Sequence, residues 1–226
     1  MIDYSEFGRR AAASPALRCA ALVRHGERPP IDPADPTFGE NLPITAAGRA
    51  LALGCGRVLA GSGPAAGEWG FLSSRLLRTR LTARAVAEGM GVPDAPVATS
   101  AEASLPGLWV EDMAETHRHY YAEGSVPFTT RFLDDGRAEG YRPIAESTRL
   151  ALDWLASDPA GTRLTLVCTH DIFVACMLRG LGERRVDCGH WVGFLQGIAL
   201  FEKPGGGWDA EWLVPDKSDW TTPFYQ

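Results

Sequence analysis

Two apolar runs, each ending abruptly in a histidine, limit what this chain can fold into more than any other feature. The first is Cys19-Ala20-Ala21-Leu22-Val23, followed by Arg24-His25-Gly26-Glu27-Arg28-Pro29-Pro30. The second is Leu164-Thr165-Leu166-Val167-Cys168, followed by Thr169-His170-Asp171 and the helical run Ile172 to Leu181. Short, nearly continuous apolar runs read as strands buried on both faces, the habit of parallel sheets. Each would deliver its histidine into a loop at the strand's carboxyl end. Open α/β sheets hold their ligands at that edge.

His25 stands between Arg24 and Arg28. Such a positive field holds an anion, and the planar guanidinium fork suits phosphate oxygens. The same field disfavours the imidazolium, so the ring stays neutral and nucleophilic. Alone, the string also suits a solvated loop, and a lone histidine at a strand end is more often structural. A third segment adds weight. Phe71-Leu72, after Trp69, closes a short strand, and Ser73 or Ser74 is expected to cap the next helix. Leu76, Leu77, Leu81, Ala85 and Val86 then recur at helical spacing. Arg75, Arg78 and Thr82 share a face near that helix start. A helix N-terminus with arginine beside it is an anion site, although an ordinary basic amphipathic helix carries the same pattern. Thr45 is the expected N-cap of a further helix running to Leu59.

Strands are expected near residues 18–23, 69–72, 96–100 and 163–168, with helices near 45–60, 76–89, 144–156 and 172–181. Residues 1–17 read as a short leading helix or arm. Gly197 to Phe201 and Trp208 to Leu213, around Gly205-Gly206-Gly207, read as a hairpin. This alternation predicts an α/β fold: a three-layer sandwich with a mainly parallel central sheet, helices on both faces and an antiparallel edge hairpin. With 226 residues and 45% apolar content, one domain over 1–226 is expected. Residues 104–143 fit the alternation least. They hold Trp109, His117, His119, Tyr120, Tyr121, Phe128, Arg131 and Phe132, with several glycines and prolines. An irregular cap over the site is expected there, its aromatics stacking on an organic group or packing the cap's own core. His117 and His119 have no ligand-like partner in the sequence.

A formal net charge of -6 argues against bulk attraction to nucleic acid or an acidic membrane. No apolar run reaches membrane-spanning length. The start Met1-Ile2-Asp3-Tyr4-Ser5-Glu6 lacks the regions of a signal peptide. The five cysteines, Cys19, Cys55, Cys168, Cys176 and Cys188, form no disulfide framework. Cytoplasmic residence is the expectation, with Cys19 and Cys168 as core residues.

Arg24-His25-Gly26-Glu27-Arg28-Pro29-Pro30 resembles the Arg-His-Gly-x-Arg-x-Pro signature of the histidine phosphatase superfamily. Leu76, Arg78 and Thr82 resemble the Leu-x-Arg-x-x-x-Thr pattern that carries the family's third arginine. His170-Asp171 resembles the His-Asp pair of its acid-phosphatase branch. Order and spacing agree from about residue 18 to residue 180. The resemblance implies that His25 attacks phosphorus in line and becomes phosphohistidine. It implies that Arg24, Arg28, Arg78 and an imidazolium at His170 bind the phosphoryl oxygens, with no metal or other cofactor. No His, Cys or carboxylate cluster has metal-ligand spacing, which agrees. The leaving oxygen needs an acid. Asp171 is implied by the acid-phosphatase branch. Glu111 is the rival and a candidate substrate contact, because the other branch uses a glutamate from the segment after the third arginine. Otherwise Glu111 and Asp112 are a solvated turn or a helix cap.

The mutase branch usually carries Ser and later Asn after its Arg-His-Gly-Glu. Arg28, Pro29 and Pro30 stand there instead, which points to a phosphatase. The acid-phosphatase branch is typically longer and secreted. The implied activity is hydrolysis of a small phosphorylated metabolite through a phosphohistidine. A phosphoglycerate-type mutase and a non-catalytic phospho-ligand binding module are the alternatives.

Overall fold

A computed structural model describes the chain except residues 15–16, 33–34, 36, 38, 105–106 and 217–226. Leu105 and Pro106, at the start of the expected cap, thus lie outside the described residues. The strands are β1 (Ile2–Asp3), β2 (Cys19–Arg24), β3 (Trp69–Ser73), β4 (Val97–Thr99), β5 (Leu164–Thr169), β6 (Gly197–Glu202) and β7 (Trp208–Val214). The helices are α1 (Tyr4–Ala13), α2 (Ala46–Ser62), α3 (Leu77–Gly89), α4 (Met113–Glu123), α5 (Ser125–Asp135), α6 (Ile144–Ala156) and α7 (Asp171–Gly180), with a 3-10 turn at Ala66–Glu68. The strands form one seven-stranded sheet in the order β1-β7-β6-β2-β5-β3-β4. Among neighbours, β6 alone runs antiparallel, to both β2 and β7.

Every residue of β2 and β5 is buried. The pleat explains why neither strand alternates apolar with polar. Cys19, Ala21 and Val23 pack with Phe7, Ala52, Leu59 and Val86 of α1, α2 and α3. Ala20 and Leu22 point the other way, toward Ala151, Leu155, Val174 and Leu178 of α6 and α7. Both faces of the sheet are therefore covered, as the three-layer reading requires. Among the described residues no helix is long and apolar enough to cross a membrane. All five cysteines are free.

Two expectations need correction, and one is extended. The β6–β7 hairpin supplies the expected antiparallel edge, and beyond it Ile2 and Asp3 pair in parallel with Leu213 and Val214. A two-residue strand has no periodicity to read, so its pairing is decided by tertiary contact alone. The cap is helical rather than irregular. Asp112 caps α4 through Ala114 N (2.9 Å) and Glu115 N (3.0 Å). Gly124, at φ +89°, turns the chain into α5, where Pro127 occupies the first turn and forfeits no helical hydrogen bond. Finally, neither Ser73 nor Ser74 is the N-cap of α3. Leu76 occupies that position, and the amide of Leu77 finds the carbonyl of Glu40 at 3.1 Å. Thr45 does cap α2, accepting from Gly48 N at 3.0 Å.

Candidate active site

β2 and β5 are paired with Arg24 opposite Thr169. His25 and His170 therefore leave the sheet at matching points. Their rings are buried, 5.7 Å apart between centroids and steeply inclined. The loop after β2 is drawn tightly onto the helices. Gly26 N donates to Thr82 Oγ1 (2.9 Å), and that hydroxyl donates to Arg78 O (2.7 Å). A Cβ on Gly48 would come within 2.6 Å of the Glu27 backbone, so only glycine lets α2 approach so closely. Thr45 Oγ1 also donates to Glu27 Oε2 at 2.6 Å.

His25 Nδ1 lies 2.7 Å from the Gly26 carbonyl. A carbonyl only accepts, so Nδ1 carries the proton and Nε2 carries the lone pair. Burial, with His170, Arg24 and Arg78 nearby, pushes this ring well below the usual imidazole range, against the opposing pull of the Gly26 carbonyl. The environment of His25 thus disfavours its imidazolium.

The three arginines converge on the same edge. Arg24 donates to Val192 O at 2.6 Å, pairs with Asp171 at 3.1 Å and lies 4.3 Å over the Phe194 ring. Arg78 donates to Gly39 O at 2.8 Å, and Arg28 donates to Pro29 O at 2.8 Å. The Nε–H groups of Arg28 and Arg78 are buried with no partner among the described residues. Buried donors of this kind are free to receive an anion or a water. Arg78 is pushed down to about 10, by burial first and then by Arg28 and Arg24, and stays charged at neutral pH. Burial and Arg24 likewise lower Arg28. Three guanidinium groups face one carboxylate, an excess that suits a dianion.

His170 Nε2 lies 2.9 Å from Ser74 Oγ. Burial, Arg78, Arg24 and Arg28 lower its pKa to about 3, although Asp171 pulls the other way. Burial and the guanidinium groups thus disfavour an imidazolium at His170, the charged form that the resemblance implies on a bound phosphoryl group. Asp171 opens α7. Its Oδ1 accepts from Ile172 N at 2.9 Å, and its Oδ2 accepts from Trp191 Nε1 at 3.2 Å. Burial raises this carboxyl, but Arg24 and the Trp191 N–H hold it well below the usual carboxylate range. The amino end of α7 adds its own positive field.

The structure thus gathers His25, Arg24, Arg28, Arg78, His170 and Asp171 at one edge. Glu111 is not drawn into that group. It is 54% exposed and pairs with Arg142 at 3.1 Å. Trp109 is buried against Phe173, ring centroids 5.1 Å apart, so it packs the core beneath the cap. His119 does have partners: Glu115 at 3.1 Å, Glu123 at 3.6 Å and Glu139 at 3.9 Å. Arg131 bridges Glu123 and Glu139 at 2.7 Å each, which makes this cluster an ion-pair network within the cap. Four contributors escaped the reading of the sequence as site residues: Ser74, Trp191, Val192 and Phe194. Only Ser74 carried a signal, as a hydroxyl at a strand end.

A family model described as the histidine phosphatase superfamily (branch 1) matches residues 20–199. No curated protein matches the chain. Among solved structures it is similar to a mycobacterial glucosyl-3-phosphoglycerate phosphatase, at 15% identity and a TM-score of 0.56, covering 87% of this chain and 98% of that one. That phosphatase in complex with inorganic phosphate gives 17% identity and 0.56, covering 91% and 98%. A phosphoglycerate mutase from Bacillus anthracis gives 13% and 0.54, covering 89% and 94%. At these identities the likeness establishes the fold alone. The match is to branch 1, whereas the His170-Asp171 pair resembles the acid-phosphatase branch.

Proposed function

The chain belongs to the histidine phosphatase superfamily, and from that premise we propose that it is a phosphomonoesterase acting on a small phosphorylated metabolite through a phosphohistidine at His25. The observation that carries this reading is the tether of His25 Nδ1 to Gly26 O, which leaves Nε2 as a nucleophile among three arginines. Nε2 attacks phosphorus, the P–N bond forms and the bond to the leaving oxygen breaks. Arg24, Arg28 and Arg78 spread the charge of the transferring group, and positioning with such clamping is most of what phosphoryl transfer needs.

Asp171 supplies the proton to the leaving oxygen. Arg24 and Trp191 hold its carboxylate in the ionised form. An entering phosphoryl dianion competes for Arg24 and adds negative charge nearby, and both effects raise the carboxyl toward protonation. In the second half, water attacks phosphorus, Asp171 takes the water's proton, the P–N bond breaks and inorganic phosphate leaves. The Arg28-Pro29-Pro30 sequence favours hydrolysis over mutase chemistry. A phosphate-release screen over phosphorylated metabolites, with His25→Ala as control, tests the reading. Inorganic phosphate with no isomerised substrate is expected. Isomerised product with no phosphate would make the protein a mutase.

A further inference from the structure

Ser74 is a buried hydroxyl that the phosphatase reading does not use. Its Oγ lies 2.9 Å from His170 Nε2, 2.8 Å from Thr79 Oγ1 and 3.4 Å from the amide of Leu76. Thr79 Oγ1 in turn lies 2.8 Å from the carbonyl oxygen of Leu76 and 3.1 Å from that of Ser74. The protons along this chain of contacts fix the state of His170. Carbonyl oxygens only accept, so Thr79 gives its single proton to them. If it gave that proton to Ser74, its lone pairs would face the Leu76 oxygen at 2.8 Å with no hydrogen between. Thr79 Oγ1 is then an acceptor, and Ser74 donates to it. Ser74 Oγ, its proton spent, accepts from the Leu76 amide and from His170 Nε2–H.

We propose that Ser74 is a positioning residue that holds His170 as the Nε2–H tautomer, so that binding of a phosphoryl dianion requires His170 to take up a proton at Nδ1. The proposal rests on the phosphatase reading for its ligand. Once Nε2 is bound to Ser74, Nδ1 is the one polar ring atom left for an anion, and it carries a lone pair. A phosphoryl oxygen and a bare imine nitrogen repel, and a proton between them turns the contact into a charge-assisted hydrogen bond. A monoanionic ligand brings that proton and passes it to Nδ1. A dianionic ligand draws it from solvent. The groups facing His170 set the balance: Arg24 from β2, Arg28 from the loop after it, Arg78 from α3 and Asp171 from α7, with His25 alongside. Burial and the first three disfavour the charged ring, and the ligand's negative charge opposes them.

The test is the 15N spectrum of the histidine-labelled protein, with His170 assigned by the signals lost in His170→Asn. In the free protein the Nε2–H tautomer is expected. On adding inorganic phosphate in alkaline buffer, both ring nitrogens should become protonated. Thr79→Val removes the acceptor of the Ser74 proton and should switch the free ring to Nδ1–H. Ser74→Ala should release the tautomer, shift the alkaline limb of the pH profile and lower kcat/KM on the order of tenfold. An Nδ1–H ring in the free parent, or a Thr79→Val protein with an unchanged tautomer, overturns the assignment of Ser74. A bare Nδ1 in the phosphate complex overturns the proton coupling. A ring that ignores phosphate altogether would overturn the coupling together with the phosphatase reading. The free-protein tautomer, read without ligand, judges Ser74 by itself.

Discussion

The carboxyl ends of β2 and β5 carry the same residue type at the same depth, yet hold it by opposite nitrogens. His25 is tethered through Nδ1 to a backbone carbonyl one residue away. His170 is tethered through Nε2 to a side chain 96 residues away. A backbone carbonyl cannot rotate or titrate, so the first tether sets one tautomer rigidly. A hydroxyl answers to its own partners, so the second is set by a network. The difference fits the roles proposed for them: a nucleophile whose lone pair must always be present, and a ligand-facing ring that changes charge when an anion arrives.

The sharpest break between the two ends is expected at His25. Replacing it with alanine should lower kcat by more than about 10⁴-fold, as removal of a nucleophile does elsewhere. Rapid quenching of the parent should trap an acid-labile, alkali-stable phosphoenzyme that the variant lacks. If His170→Ala abolished that adduct while His25→Ala kept it, the two roles would have to be exchanged.

Asp171 sharpens the β5 end. As the proton donor it matters most when the leaving group departs as a costly alkoxide. Asp171→Asn should slow alkyl phosphates by about 10²–10⁴-fold and leave nitrophenyl phosphate far less affected. An equal loss on both ester types would make Asp171 a clamp for Arg24 rather than an acid.

Arg78 lies between the two ends, on the helix tied to both. Arg78→Ala should cost about 2–4 kcal/mol of transition-state stabilisation, by analogy with losing one oxyanion donor. Lysine should rescue it poorly, because it lacks the fork. Full activity in the lysine variant would mean that charge alone, not bidentate geometry, is needed from α3.

Much of this comparison was legible in the sequence, for a physical reason. Both histidines follow nearly continuous apolar runs, and burial of a parallel strand on two faces leaves that pattern directly in the chain. The order of Arg24, His25, Arg28 and Arg78 is likewise carried by short spacings and one helical period. What the sequence hides are contacts across long separations. Trp191 donates to Asp171, and Arg24 rests on Phe194 and Val192. All three partners come from the loop after α7, which has no period of its own. The two cap helices were missed because their glycines and prolines resemble loop residues until Gly124 and Pro127 are seen at a helix junction. Glu111 was equally ambiguous, because Arg142, its partner, is set by the fold.

Acid titration tests whether the two rings are as strongly held neutral as their surroundings indicate. Both native pKa values are depressed, that of His170 to about 3. An unfolded histidine titrates near 6.5. Below that pH the unfolded chain binds protons that the native site refuses, so stability falls as pH drops from about 6.5 toward 3. Each ring contributes a limiting slope of about 1.4 kcal/mol per pH unit. Asp171 acts in the same direction at lower pH: its native pKa lies below the unfolded value near 3.9, so its contribution is lost in more acid solution. Chemical denaturation at several pH values should show a shallower decline for His170→Asn than for the parent. An unchanged slope would mean that His170 titrates normally in the folded protein.

The smallest effect is expected at Glu111, where the comparison leaves the strand ends for the cap. Its carboxylate is half exposed and turned to Arg142. An exposed pair of this kind contributes little, because water and salt screen both charges. Glu111→Gln should therefore change stability and kcat/KM within about 0.5 kcal/mol, with the same ratio on alkyl and nitrophenyl esters. The ratio is the informative quantity. An acid removed from the wrong place leaves no preference for good leaving groups, whereas an acid removed from the right place always does. If Glu111→Gln selectively slowed alkyl esters while Asp171→Asn did not, the proton would come from the cap. The cap would then have to close far enough over His25 to break the Glu111–Arg142 pair, and Asp171 would be left as the carboxylate that orients Arg24.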